Sequence, residues 1–527
     1  MSKYKIKEII RQLKEGKLSA NKLYSRCRKR AQVFSELNFF VTTTFDSAKY
    51  NVEETDQRIS KGKLLKLLDG IPVAVKDNFS TRDVTTTCAS KSLSGYKPPY
   101  TATVVKRMLN EGAISMGKLN LDEFAMGSYS NTGVHSAVRN PWRYPFERSE
   151  KLTKRNHQSE ADHTDHVTSI GDSDWFTTGG SSGGSAVAVA VGACFAALGS
   201  DTSGSVRVPA ALCGVVGYKP TYGLLSRYGL IPLVHSLDCP GILTRYIDDA
   251  ALVLNAIGGH DPLDSTSDAR PFPHISLPED ISVQKLHIGI PKEFRSPYTT
   301  DKVLEAWSRC IDMFEAGGAR VSQVSLPNHQ YGLSCYNILN NVEVASNMSI
   351  YDGVEFGHRS EKGESVDDLY AETRHEGFND IVRGRILTGN YFLLKDKYDK
   401  YFEQAMKVRQ LICKDFESVF ASGIDILLTP IVDYPGLTQA EVTSNKDRYA
   451  MVDCAATTVN LAGLPAVSIP VCVSSDGLPI SLQLIASRFS DKSLLRTAKW
   501  IESQCPFPYH MLDENLMRYQ NMLISDT

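Results

Sequence analysis

Thr178-Gly179-Gly180-Ser181-Ser182-Gly183-Gly184-Ser185 and, past a small-residue apolar segment, Gly199-Ser200-Asp201-Thr202-Ser203-Gly204-Ser205-Val206-Arg207-Val208-Pro209-Ala210 decide how this chain is read. The intervening segment, 186 to 198, predicts one buried helix joining two loops at a single site. Loops this rich in glycine let the backbone approach a ligand and leave N–H groups free to face developing negative charge. They are not a phosphate cradle of the GxxxxGK[ST] kind, because no lysine follows Gly183 or Gly184. A flexible linker would be polar on both sides, whereas both sides here lead into apolar sequence. The arrangement can present a serine to a substrate.

A serine is a weak nucleophile until a base takes its proton. None of the 12 histidines sits in a G-x-S-x-G elbow. Upstream, Gly70-Ile71-Pro72-Val73-Ala74-Val75-Lys76-Asp77-Asn78-Phe79 predicts a short buried strand ending in a lysine. A lysine against apolar walls loses solvation, and its neutral amine becomes accessible at ordinary pH. Spacing alone reads Lys76 as a surface cation at a strand end.

The run from Gly179 to Ala210, continued by Cys213-Gly214-Val215-Val216-Gly217-Tyr218-Lys219-Pro220-Thr221-Tyr222-Gly223, resembles the amidase-signature family. That resemblance implies an α/β fold with a large mixed β-sheet core covered by helices on both faces. It also implies a Ser, cis-Ser, Lys triad in which Ser205 is the nucleophile, Ser181 the bridging serine and Lys76 the base; the two serines are 24 residues apart. The Ser181 peptide bond would be the non-proline cis form. The backbone N–H groups of Thr202, Ser203, Gly204 and Ser205 would hold the oxyanion. The family usually has glycine where this chain has Ser203, so a strained serine is expected if that position needs a positive φ.

From Lys5 to about Met517 the chain is similar to the A subunits of the amidotransferases that act on Glu-tRNA(Gln). The matching blocks include Asp69-Gly70-Ile71-Pro72, Lys118-Leu119-Asn120-Leu121-Asp122-Glu123-Phe124-Ala125-Met126-Gly127-Ser128, Tyr351-Asp352-Gly353-Val354 and Val459-Asn460-Leu461-Ala462-Gly463-Leu464-Pro465. Such chains hydrolyse glutamine, whose α-carboxylate needs a cation and whose α-ammonium needs an anion. The resemblance places the glutamine pocket on Tyr336, Arg385 and Asp453, with Ser128 beside it. Against this, Arg383 is a near neighbour of Arg385, Tyr336 lies in a helical stretch where aromatics pack, and Asp453 can cap a helix. The implied partners are the B and C subunits of a heterotrimer. The B partner would take the ammonia, use ATP and Mg²⁺ and bind Glu-tRNA(Gln), so no cofactor is expected in this chain. Two rivals remain: a stand-alone amidase, including the fatty-amide type, and a catalytically silent scaffold.

Composition bounds the rest. With 527 residues, 42% hydrophobic and 22% charged, the chain can bury a large core. A net charge of −2 provides no basic field for gripping tRNA unaided. Eleven cysteines without CxxC pairs argue against a disulfide framework or a thiolate zinc site and fit a reducing compartment. The longest apolar stretch, Ala186 to Leu198, is too short to span a membrane. At the N-terminus Lys3, Lys5, Lys7, Arg11, Lys14 and Lys17 are interrupted by Glu8 and Glu15, and Ile6, Ile9, Ile10 and Leu13 share one helical face. This segment is expected to be a folded helix that also serves as an uncleaved address. The resemblance implies the mitochondrial matrix.

The resemblance suggests a single domain, 1–527. It comprises an N-terminal helical part (1–60), a core carrying the three site residues (60–250), a polar and disordered insertion (143–176) and helices and strands completing pocket and sheet (284–520). In the insertion His157, His163 and His166 lie near Asp162 and Asp165; without thiolates these read as solvated side chains rather than a metal site, and no metal is expected. Val303, Leu304, Trp307, Cys310, Ile311 and Phe314 predict a helix starting at Thr300 or Asp301. Ile424 to Leu428, Ala466 to Val473 and Pro479 to Ile485 predict strands, the last two joined by a turn at Ser474-Ser475-Asp476-Gly477. Gly258 to Asp280 is the one candidate linker and is expected to wrap the surface.

Overall fold

The computed structural model describes residues 4–62, 66–146, 175–444 and 454–525. Their strands are β1 (Phe40–Thr43), β2 (Pro72–Lys76), β3 (Ile114–Leu119), β4 (Ala196–Asp201), β5 (Val216–Lys219), β6 (Cys239–Thr244), β7 (His287–Pro291), β8 (Arg320–Val324), β9 (Ile426–Pro430), β10 (Ala466–Val473) and β11 (Pro479–Ala486). They form one mixed sheet in the order β1-β3-β2-β4-β6-β5-β10-β11-β9-β7-β8. β2 runs parallel to both β3 and β4, and β7 runs parallel to β8 and β9; the remaining pairs are antiparallel.

Strands β2, β4, β6 and β11 are buried along their whole length, which is why they read as apolar runs rather than as alternation. The pleat nevertheless sorts their side chains. Val73, Val75, Ala196, Leu198, Ile242, Ile426, Leu428 and Leu484 pack on one face with the helices Ile6–Lys14, Ile247–Ile257, Asp301–Ala316 and Asp491–Gln504. On the other face Ala74, Ala197 and Leu243 meet the helices Ala20–Val33 and Gly183–Ala190, while Leu427 and Ile485 meet Gly332–Met348 and Gln404–Ala421. Helices therefore cover both faces, and the face that carries Lys76, in step with Ala74, is divided between two apolar clusters.

The segment 186–198 is not one helix. The helix Gly183–Ala190 stops at Gly192, whose φ of 70° a following helical turn does not accept, and Ala196 already belongs to β4. The reason is pairing: Ala196–Leu198 fills the gap between β2 and β6, and a longer helix would leave those ladders without a partner. Elsewhere the expected strands appear as Ile426–Pro430, Ala466–Val473 and Pro479–Ala486, and the expected helix as Asp301–Ala316 after Thr300. The N-terminal helix Ile6–Lys14 buries Ile6, Ile9 and Leu13. Residues 258–280 contain no helix or strand, yet they are pinned rather than loose. Arg107 donates to the carbonyls of Ile257, Gly258, Gly259 and His260, and Asn255 exchanges two hydrogen bonds with Ile275. The histidines of the expected insertion lie outside the described residues. Among the described residues no helix is long and apolar enough to cross a membrane, and ten cysteines are free thiols.

Candidate active site

Parallel pairing of β2 with β4 brings their carboxyl ends together, so Lys76 and Asp201, the last residue of each strand, open the same cleft. Lys76 is wholly buried, with Nζ 2.7 Å from Ser181 Oγ, 3.0 Å from Ser200 Oγ and 3.4 Å from the Ser200 carbonyl. Burial pushes the Lys76 amine down to about 7, against the pull of Asp122, Asp201 and Asp238, so close to neutral pH it loses its proton readily. The surface-cation reading of this lysine is thereby corrected: the strand end is the interior of the molecule.

The Gly180–Ser181 peptide is cis, at the bond the family resemblance implied. Its surroundings are built from the 122–132 segment. Asp122 accepts the N–H groups of Ser130, Asn131 and Thr132, at 2.8, 3.0 and 3.3 Å. Ser130 Oγ accepts from Gly183 N–H at 2.9 Å and donates to the Gly179 carbonyl at 3.1 Å. The backbone of Ser128 and Tyr129 lies so close to Gly180 that a Cβ there would meet Ser128 C at 2.7 Å and Tyr129 N at 2.6 Å. Ser128 is thus beside the cis bond.

Ser205 is only partly buried, unlike Ser181, and its carbonyl accepts Ser182 N–H at 3.1 Å. The two serine loops therefore touch through their backbones. The Ser205 hydroxyl makes no hydrogen bond to a described residue, so the Ser205–Ser181 side-chain link of a relay is not formed in this structure. The N–H groups of Thr202, Ser203 and Ser205 donate to no acceptor among the described residues. Gly204 differs: its N–H donates to Asp201 Oδ1 at 2.8 Å, which removes it from the expected set of four oxyanion donors. The strain expected of Ser203 is also absent. The positive φ, 108°, belongs to Gly204, and Ser203 instead places Oγ 3.2 Å from Thr457 Oγ1.

Asp201 fixes this loop. Besides Gly204 it accepts the N–H groups of Val206 and Arg207, the Arg207 guanidinium through both oxygens, and Asn460 Nδ2 at 3.0 Å. Burial would raise its pKa, but Arg207, Lys219 and the Gly204 N–H outweigh that and hold the carboxyl below its usual range. Arg207 reaches on to Gln483 Oε1 and Asn460 Oδ1, each at 2.5 Å. Thr202 Oγ1 donates to Asp238 Oδ1 at 2.7 Å, and Asp238 Oδ2 accepts from Leu233 and Val234 N–H. Asp201, Arg207, Asn78 and Ser200 fall inside the motifs, but the sequence assigned them no roles; Gln483, on β11, carried no local signal at all.

The expected glutamine pocket is described in part. Tyr336, on the helix Gly332–Met348, is buried in the cluster with Cys335, Leu339, Phe378 and Val382. That helix begins against Thr458, the neighbour of Thr457, which touches Ser203. Arg385, on the helix Asp380–Leu393, is half-buried, and its guanidinium makes no hydrogen bond or ion pair with a described residue. Arg383 is committed instead to the carbonyls of His375 and Phe378 and to Asp380, which separates the two arginines. Asp453 lies outside the described residues. The helix Cys454–Leu461 follows it directly and passes the serine loop, since a methyl on Gly204 would meet Ala456 Cβ at 2.6 Å.

A buried near-neutral lysine touching a cis-peptide serine, beside a second serine under unpaired backbone N–H groups, equips the fold for nucleophilic attack on a carbonyl. Residues 23–145 and 171–495 match the Amidase family, and the chain belongs to that family and is an enzyme of that class. It is 51% identical over 511 residues to the mitochondrial glutamyl-tRNA(Gln) amidotransferase A subunit of Bos taurus, covering 97% of this chain and 95% of the relative. The protein of the same name from Homo sapiens is 51% identical over 512 residues, with the same coverage. Among solved structures, the glutamyl-tRNA(Gln) amidotransferase A subunit of Thermotoga maritima superposes with a TM-score of 0.71 at 33% identity, covering 96% of this chain and 95% of that one. A peptide amidase from Stenotrophomonas maltophilia shares the fold, with a TM-score of 0.75 at 23% identity.

Proposed function

We propose that this chain is the glutamine-hydrolysing A subunit of a glutamyl-tRNA(Gln) amidotransferase working in the mitochondrial matrix. The observation that carries the reading is the 2.7 Å contact between the buried Lys76 amine and Ser181 Oγ. Neutral Lys76 accepts the Ser181 hydroxyl proton, Ser181 in turn accepts that of Ser205, and Ser205 Oγ attacks the side-chain amide carbon of glutamine. Rotation of Ser205 about χ1 forms the missing hydroxyl link; such bonds are often long or absent without substrate. The free N–H groups of Thr202, Ser203 and Ser205 hold the oxyanion. The same relay returns a proton to the departing nitrogen, which leaves as ammonia. Water then attacks the glutamyl ester by the reverse route, releasing glutamate and restoring Ser205.

Arg385, with an uncommitted guanidinium, takes the α-carboxylate, and Asp453 with Tyr336 and Ser128 completes the glutamine site. Ammonia passes to a B partner that uses ATP and Mg²⁺ on Glu-tRNA(Gln), with a C partner joining the two. The test is glutaminase activity of Ser205→Ala beside wild type, with and without these partners. Loss of at least about a thousandfold is expected on removing a covalent nucleophile; an unchanged rate rejects the reading, and so would a wild type that hydrolyses neutral amides but not glutamine.

A further inference from the structure

Behind the Lys76–Ser181 contact stands a second pair of side chains, Asn78 and Ser200, both almost wholly buried. Ser200 offers the lysine two oxygens, the hydroxyl at 3.0 Å and the carbonyl at 3.4 Å, and its hydroxyl also accepts from Asn78 Nδ2 at 2.9 Å. A protonated lysine has three N–H bonds, and three oxygens surround Nζ: the two of Ser200 and that of Ser181. A neutral amine has two N–H bonds and one lone pair. The Ser200 carbonyl can only accept, and Asn78 and Lys76 together fill both lone pairs of the Ser200 hydroxyl.

We infer that Asn78 and Ser200 are positioning residues which hold two N–H bonds of Lys76, so that its third position, lone pair or proton, always points at Ser181 Oγ. The inference rests on the reading of Lys76 as the base. It explains why a lysine with free rotation about its terminal bond can serve a single hydroxyl: the other directions are taken. Of the carboxylates that act on Nζ, Asp122 and Asp238 lie on other segments, and Asp201, next to Ser200 on β4, is held by Arg207 and Asn460 rather than by the Ser200 side chain or by Asn78.

The test is the pH dependence of glutamine hydrolysis by the full-length chain in its native assembly, for wild type, Ser200→Ala, Asn78→Ala and Ser205→Ala. In Ser200→Ala we expect kcat to fall about 10- to 100-fold, the range of a general-base contribution, with KM within about two-fold. The rising limb of the profile should move to lower pH, because the ammonium form has lost an acceptor. Should Ser200→Ala fail to fold, Asn78→Ala is read by the same two signs, since a Ser200 hydroxyl freed to donate to the amine also favours its neutral form. A folded variant with kcat near wild type, or with lowered kcat and an unmoved limb, overturns the inference. If Ser205→Ala keeps its activity, the nucleophile and the relay to Lys76 that this inference rests on fail; if Ser205→Ala is dead while both clamp variants behave as wild type, only the clamp fails.

Discussion

Asp201 and Arg207, both without solvent exposure, bind each other through two side-chain hydrogen bonds, Nε to Oδ2 at 3.1 Å and Nη2 to Oδ1 at 3.0 Å. The turn they close, 201–207, is the one that presents Ser205. Removing one member of a buried pair leaves the other charge uncompensated, which costs about 3–5 kcal/mol. Arg207→Met should therefore lower the stability measured by denaturant unfolding by that amount and abolish hydrolysis together; a loss below about 1 kcal/mol would show that the turn does not depend on the pair. The sign with pH follows from Asp201, whose folded carboxyl is held below its unfolded value. Its contribution is complete above the ordinary carboxylate range and disappears as pH falls toward the folded value, so the acid-unfolding curve should flatten in Asp201→Asn.

Lys76 acts with the same sign in a higher pH window. Burial lowers it to about 7 in the fold, while the unfolded lysine keeps its proton to about 10.5, so between these values the unfolded state binds more protons and stability rises with pH. Denaturation midpoints measured from pH 7 to 10 should climb in wild type, and that slope should be reduced in Lys76→Met. Activity should rise through about pH 7 as the amine becomes free to accept a proton. A profile already flat from pH 5 would mean that some other group sets the rate.

Arg385 is the uncommitted cation on its helix, whereas Arg383 is tied to carbonyls and to Asp380. Arg385→Ala should raise KM for glutamine at least about tenfold, the loss of a charge-assisted contact, with a much smaller effect on a neutral amide. Equal losses on both substrates would remove Arg385 from the pocket.

Gly204 and Ser203 should respond in opposite ways. Alanine at 204 meets both a φ of 108° and Ala456 at 2.6 Å, so Gly204→Ala should lose activity and lower Tm. Ser203→Gly relieves no positive φ and gives up the Thr457 contact, so its kcat should not exceed wild type. A large gain would mean that the serine distorts the loop.

Much of this was legible in the chain before folding. Lys76, Ser181 and Ser205 were named by the family resemblance carried by their motifs, since spacing alone reads Lys76 as a surface cation and no local composition marks the cis bond at Ser181. Strands β10 and β11 were visible because burial of all of β11 and of Ala466–Val471 in β10 makes them apolar along most of their length and Gly477 turns between them. The segment 186–198 misled because alanine and valine suit a buried helix and a buried strand equally, and only the gap between β2 and β6 chooses. The Gly204 donor was misassigned for a related reason. Which N–H of a loop is free depends on where a carboxylate lands, and Asp201 lands there because Asn460 and Arg207, itself tied to Gln483, hold it. No pattern within a dozen residues encodes that.

Arg207 meets Gln483 across 276 residues of chain, and Asn460 meets Asp201 across 259. A polypeptide emerging from a ribosome, or threading through an organelle's entry pore, therefore carries its serines long before the residues that lock their turn have arrived. Until β11 is threaded beside β10, the hydrolytic machinery stays unassembled. Premature amide cleavage by half-made chains is thus held off by connectivity.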